Sequence, residues 1–300
     1  MRQPQLSSYK VIWILIECYD KNMSTVLGII GYPIGHSVSP IFQQAALNYV
    51  GIDAKYLAWE TPPENLSDRI NSLKESGVIG ANVTVPHKQS VLPFLNNLSK
   101  TAREIGAVNT IVNDNGVLYG HNTDVFGFMK SLKIDGDFHS DGKSALVLGA
   151  GGSAKAIAYG LLGEGIKKLV IVNRTLSRAV QLKKELGNPG NMFVVSPEST
   201  DMMRGHDLIV NCTTLGMKHG PGEDKSPLSQ EHIHIGALVY DLVYNPQKTP
   251  LIEVAMGIGA QVISGLPMLI YQGAEAFRLW TGIDPPTEVM LQAAKNALKG

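Results

Sequence analysis

Apolar positions in this chain recur at two spacings, and the change from one to the other marks its elements. Residues 145–148 are an apolar run that ends at Gly149, and a segment rich in Ala, Leu and Ile at helical spacing comes next. Residues 168–172 are a second apolar run, rich in β-branched side chains. The pattern predicts strand, tight glycine turn, helix and strand, a βαβ unit whose right-handed crossover makes the strands parallel. Runs at 207–211, 238–242 and 261–263 predict three more strands of the same domain. Helices are predicted over 250–256, from 265 to about 280, and over 286–298.

Upstream, strands are predicted at 26–30, 55–59, in the stretch from Gly80 to Pro86, at 106–111 and at 117–119. Helices are predicted at 41–50, 63–76 and 89–105, with Ser39 and Pro40 as the N-cap and first residue of the first of these. Asn115-Gly116 is a hairpin turn signal, and Asn82 and Thr84 alternate onto one strand face. Residues 126–132 form a connecting helix and 135–142 a linker loop. The fold class is α/β in two domains: an N-terminal mixed-sheet domain and a Rossmann-type doubly wound one. Residues 1–23 differ in style from the rest of the chain, and are either an extension with one short strand or sequence ahead of a start at Met23.

A chain of 300 residues is long enough for two cores. Lys plus Arg and Asp plus Glu number 26 each, so no net field points to nucleic acid or an anionic membrane as partner. The apolar run 11–16 stops at Glu17, too short to span a bilayer and without a small-residue cleavage site. Cys18 and Cys212 form no zinc or redox motif, which suits a reducing cytoplasm and leaves no metal to expect.

Candidate chemistry begins at Gly149-Ala150-Gly151-Gly152-Ser153-Ala154, the G-x-G-x-x-A turn between strand and helix. Glycine there lets a pyrophosphate approach the backbone, and the helix start offers free N–H groups and a favourable dipole. At the end of the next strand an NAD site carries Asp or Glu for the ribose hydroxyls. Here stand Asn173-Arg174-Thr175, with Arg178 a turn further on. Two guanidinium groups without a carboxylate suit a 2′-phosphate, so the expected cofactor is NADP(H). The turn 211–217, at a strand's carboxyl end, is expected beside it and includes Thr213.

A nicotinamide enzyme acting on a ketone also needs a proton donor near the carbonyl oxygen. Lys88 and Asp124 are candidates, each closing a polar strand-end segment outside the nucleotide domain. Each also has a purely structural reading, Lys88 as an exposed lysine at a helix start and Asp124 as the N-cap of the next helix.

Gly35-His36-Ser37-Val38-Ser39-Pro40, Asn82-Val83-Thr84-Val85-Pro86-His87-Lys88, Gly106–Thr110, Asn122-Thr123-Asp124, Gly149–Gly152, Asn173–Thr175, Asp241-x-x-Tyr244-Asn245-Pro246 and Gly265-x-x-Met268-Leu269-x-x-Gln272 occur in order. Together they resemble the shikimate dehydrogenases, over nearly everything from Met23 onward. The resemblance implies reversible NADPH-dependent reduction of 3-dehydroshikimate to shikimate, a step of chorismate and aromatic amino acid biosynthesis, by a cytoplasmic monomer or homodimer. It implies that Ser37 and Ser39 hold the substrate carboxylate, with Tyr244 near it, and that Asn82, Thr84, Asn109 and Gln272 bond the ring hydroxyls. Lys88 and Asp124 would be the catalytic pair, with Leu242, Gly265 and Met268 along the nicotinamide. It also implies a discontinuous substrate domain of residues 24–124 plus 265–300 around an NADP domain of 125–264. Other readings are a quinate/shikimate enzyme of wider specificity, which Ser39 and Arg174 weaken, and a non-catalytic NADP sensor, which Lys88 and Asp124 oppose.

Overall fold

The computed structural model describes residues 25–299, so the expectations for residues 1–23 lie outside the described residues. The chain divides into two compact units, one running to Thr123 and resuming at Gly273, the other Asp124–Gln272.

The first unit holds β1 (Thr25–Gly31), α1 (Ser39–Tyr49), β2 (Ala54–Glu60), α2 (Leu66–Ser72), β3 (Val78–Val83), β4 (Asn97–Leu98), α3 (Lys100–Ile105), β5 (Thr110–Asp114) and β6 (Val117–His121). Its mixed sheet has the order β2-β1-β3-β5-β6-β4, with β1 parallel to β2 and β3, and β5 antiparallel to β3 and β6. The β5–β6 hairpin turns on Asn115 and Gly116, both at positive φ, as the Asn-Gly pair demands. Ile30, Ala81, Val83, Ile111 and Leu118 pack with Ile70 and Leu73 in the core of this unit.

The second unit holds α4 (Asp124–Ile134), β7 (Ser144–Leu148), α5 (Gly152–Gly163), β8 (Lys168–Val172), α6 (Leu176–Glu185), β9 (Met192–Val195), β10 (Leu208–Asn211), β11 (Leu238–Asp241), α7 (Pro250–Gly257), β12 (Gln261–Ile263) and the start of α8 (Leu266–Thr281). Its sheet is parallel throughout, in the order β12-β11-β10-β7-β8-β9. Both faces are buried: Ala145, Val147, Leu169 and Ile171 meet α4, α5 and α8 residues, while Leu146, Leu148, Val170 and Val172 share a cluster with Leu251 and Ala255 of α7. Near-continuous apolar strands result from that double burial.

The structure departs from the expected elements in several places, among them the strand expected at 106–111, which begins only at Thr110. Residues 89–105 are not one helix but a 3-10 turn (Leu92–Phe94), β4 and α3. Pro93 interrupts the helical ladder, and Asn96 is drawn to β6, its N–H donating to Leu118 O at 3.0 Å and its Oδ1 accepting from Leu118 N at 2.9 Å. Helix α3 then starts at Ser99, whose hydroxyl accepts from Ala102 N, and ends at the left-handed Gly106. The helix α6 and edge strand β9 are not among the predicted elements; α6 is short and mostly polar, and it buries only Ala179 and Leu182. The boundary between the compact units falls inside α8, between Gln272 and Gly273, and the helix itself runs unbroken from Leu266 to Thr281. A last helix, α9 (Thr287–Ala297), belongs to the first unit. Among the described residues no helix is long and apolar enough to cross a membrane.

Candidate active site

In the first unit, polar side chains gather where β3 and β5 meet. Asn82 Nδ2 donates to Asn109 O and to Thr110 Oγ1, each at 3.1 Å, and Tyr56 Oη donates to Asn82 Oδ1 at 2.6 Å. Asn109 Oδ1 accepts from Thr123 N at 2.7 Å, and its Nδ2 donates to Thr123 Oγ1 at 2.9 Å. All five residues are buried, so their bonds fix one arrangement, since an unmet buried polar atom is costly. The peptide just ahead of Asp124 is thereby held, and Asn122 holds it further by donating to Ala107 O.

Ser37 and Ser39 stand at the start of α1. The expected cap is corrected here: Val38 is the N-cap and makes no side-chain bond, while Ser39 is the first helical residue with Pro40 behind it. Ser39 N donates to Ser37 Oγ at 3.2 Å, which leaves the Ser37 hydroxyl hydrogen to donate elsewhere. Two hydroxyls beside a helix N-terminus, where the N-cap residue itself supplies no side-chain acceptor, favour an anion. Thr84 and Lys88 lie beyond β3, with Thr84 N donating to Ile30 O and Lys88 O accepting from Val108 N at 2.7 Å. Between them His87 is buried, and its Nε2 bonds Thr61 O at 2.7 Å. His87 and Tyr56 carry no role in the sequence reading; a tyrosine on the inward side of a strand was the one available signal, because its hydroxyl needs a partner.

In the second unit the strand order reverses between β7 and β10, the position where doubly wound sheets bind ligands. The turn after β7 passes through Gly149 at a φ of 109°, and a Cβ there would lie 3.3 Å from the Cys212 backbone and 3.4 Å from Thr213 Cγ2. Gly151 is the N-cap of α5 without a side-chain bond, and a Cβ built on it meets nothing within 4 Å. The protein's own packing therefore leaves the space above Gly151 open, which fits a pyrophosphate on the first N–H groups of α5. After β8, Arg174, Thr175 and Arg178 are exposed, and among the described residues neither guanidinium is ion-paired. Asn173 Nδ2 donates to Thr175 O at 2.8 Å and shapes that tip.

A buried network braces the other two strand ends. Asn211 Nδ2 donates to Asp241 Oδ1 at 2.9 Å, Thr249 Oγ1 to Asp241 Oδ2 at 2.6 Å, and Thr213 Oγ1 to Asn211 Oδ1 at 2.7 Å. Burial raises the Asp241 carboxyl above its usual range, against those hydrogen bonds. Burial, and then the Asp241 charge, push the Cys212 thiol up, so this cysteine is no nucleophile. Gly265 lies so close to Leu242 that only glycine fits, and Met268 is buried one turn along. Tyr244 is half-buried, with its phenol raised by burial.

The structure brings Asn82 to Asn109, Ser37 to Ser39, Gly149 to Thr213 and Gly265 to Leu242. Asp124 and Gln272 fall in the second unit rather than with Lys88. Within that unit α4 packs closely on α8, since a Cβ on Gly127 would lie 2.7 Å from Gln272 N. Among the described residues no group of His, Cys, Asp and Glu could hold a metal ion.

Known proteins with this arrangement are numerous. The family model described as "Shikimate dehydrogenase substrate binding domain" matches residues 29–111, that described as "Shikimate / quinate 5-dehydrogenase" matches 132–217, and "Shikimate 5'-dehydrogenase C-terminal domain" matches 265–295. The shikimate dehydrogenase (NADP(+)) of Methanopyrus kandleri is 40% identical over 282 residues, which cover 92% of this chain and 97% of that protein. This chain belongs to the shikimate dehydrogenase family. A solved family member from Thermus thermophilus, in complex with NADP(H) and shikimate, has a TM-score of 0.83 at 38% identity, covering 91% of this chain and 100% of the other. The quinate dehydrogenase of Corynebacterium glutamicum in complex with NAD has a TM-score of 0.84 at 32% identity, covering 92% and 100%. These two solved proteins thus hold different cofactors, and the tip after β8 of this chain, Asn173-Arg174-Thr175, lacks the carboxylate of an NAD-type site.

Proposed function

We propose that this chain is a shikimate dehydrogenase that uses NADP(H), interconverting 3-dehydroshikimate and shikimate. The observation that carries the reading is the presence, in a chain 40% identical to a shikimate dehydrogenase (NADP(+)) over 92% of its length, of every side chain the chemistry needs. Ser37 and Ser39 receive the substrate carboxylate with their hydroxyls, and Tyr244 adds a contact near it. Asn82, Thr84, Asn109 and Gln272 bond the ring hydroxyls and fix the carbon that reacts.

Arg174, Arg178 and Thr175 hold the 2′-phosphate, and the N–H groups at the start of α5 hold the pyrophosphate. When bound, NADPH supplies the hydride. Leu242, Gly265 and Met268 line the nicotinamide side. The Lys88 ammonium stabilises the developing alkoxide, and the Lys88–Asp124 pair delivers the proton to that oxygen. In the reverse direction the pair takes the proton from the alcohol as the hydride leaves. The two groups titrate as a pair, so the transferred proton belongs to both. The domain division is read as functional: the first unit holds the substrate ring and the second the dinucleotide. The substrate is a small molecule, and the cytoplasm is the compartment this reading implies.

Initial rates of NADPH formation from NADP+ and shikimate test the proposal, with quinate and NAD+ in parallel reactions. Turnover confined to shikimate and NADP+ is the expected result. Comparable turnover with quinate or NAD+ would replace it with the wider-specificity enzyme, and NADP+ binding without turnover with a sensor.

A further inference from the structure

Asn82 is the expected reader of a ring hydroxyl, yet its amide is almost wholly committed inside the first unit. Both hydrogens of Nδ2 are engaged, by Asn109 O and Thr110 Oγ1, while Oδ1 accepts from Tyr56 Oη. An amide oxygen has two lone pairs, so a single acceptor position is left on this side chain and no donor. Turning the amide over would set Oδ1 against the Asn109 carbonyl oxygen and leave the Tyr56 hydroxyl without its acceptor. The orientation is therefore assigned by the network itself.

Tyr56 is well placed to enforce it. Its ring is buried and tilted against Trp280 with centroids 6.1 Å apart, and Trp280 is anchored by donating Nε1–H to Ile111 O at 2.9 Å. Burial also pushes the Tyr56 phenol well above its ordinary value, so the hydroxyl keeps its hydrogen and remains a donor. We propose that Tyr56 is a positioning residue of the reaction: it holds the Asn82 amide as a hydrogen-bond acceptor toward a substrate hydroxyl. This rests on the proposed function, in which Asn82 meets the ring.

Tyr56→Phe keeps the ring against Trp280 and removes only the hydroxyl. The expected result is a KM for shikimate raised about tenfold, the worth of one well-made hydrogen bond, with kcat and the KM for NADP+ changed less than about threefold. In an Asn82→Ala background the same substitution should change kcat/KM less than about twofold, because the group it positions is gone. A purely structural tyrosine would give the same loss in both backgrounds, and that outcome overturns the proposal. So does a Tyr56→Phe enzyme with the parent's KM. A parent chain that leaves shikimate unoxidised removes the functional reading and this inference together, whereas an active parent with an unaffected Tyr56→Phe variant removes the inference alone.

Discussion

Replacing Gly265 by alanine adds one methyl group where the chain has no room for it. The new Cβ would stand 1.9 Å from Leu242 O, 2.5 Å from Leu242 C and 3.1 Å from Leu242 Cα. The first of these is about 1.5 Å short of ordinary contact at 3.4 Å. All three atoms are backbone, so no rotamer change relieves them, and Gly265 N also donates to Val243 O at 3.1 Å. Leu242 is tied in turn, its N–H donating to Asn211 O at 3.0 Å. The strand-end loop and the start of α8 must therefore separate by more than an ångström. Overpacking of this kind costs typically 1–3 kcal/mol, and a clash with fixed backbone belongs at the top, about 3 kcal/mol. For a unit of this size that lowers the melting midpoint by roughly 6–12 °C. A shift of about 1 Å on the nicotinamide side should also weaken NADPH by about tenfold or more. Calorimetry and a titration of NADPH fluorescence read the two effects separately. A midpoint within about 1 °C of the parent together with an unchanged NADPH affinity would refute the packing argument.

Lys88→Ala should lower kcat by about two to four orders of magnitude while NADP+ affinity stays near the parent's, as read by initial rates and equilibrium titration. Arg174→Ala combined with Arg178→Ala should raise the KM for NADP+ about 10- to 100-fold and leave NAD+ turnover within about threefold; an unchanged NADP+/NAD+ ratio removes their role. His206 is buried, and burial lowers its pKa from the usual 6.5, reinforced by Lys168 and His234 and opposed by its bond to Met202 O and by Asp207. The unfolded chain then takes up the proton first as pH falls, so this contribution to stability is present above about pH 6.5 and is lost as pH falls through the folded pKa. His121 acts in the same direction, with Glu275 opposing. Urea midpoints measured between pH 7.5 and 5.5 should fall, and His206→Gln should flatten the slope.

The parts legible in the sequence were those where one local rule acts alone. The β7–α5–β8 unit shows its period and its glycines, and the Asn115-Gly116 turn admits few backbones. Residues 89–105 mislead because helical spacing of apolar residues continues through Pro93 and Asn96, and the pairing of Asn96 with β6 is a tertiary fact. Ser39 resembled a cap because Ser-Pro usually is one; only the backbone at Val38 reveals that the helix begins a residue earlier in register. At the candidate site the residue types were legible, but their commitments were not. That Asn82 has spent its donors, or that Asp241 braces the loops on either side of it, depends on residues 26 to 30 positions away.

The close approach of Gly127 to Gln272 bears on the order in which the chain assembles. These residues lie near the two ends of the second unit, which is one continuous stretch, whereas the first unit needs residues on both sides of it. On the ribosome, Asp124–Gln272 is complete before Trp280 and α9 emerge. Joining the two pieces of the first unit across an unfolded insert of that length would cost about 4 kcal/mol of loop entropy. Once the second unit has folded, its ends are already adjacent and that cost is largely gone. The second unit thus serves as an internal clamp on the two chain segments that flank it. The Tyr56–Trp280 contact joins residues from the two sides of that insert.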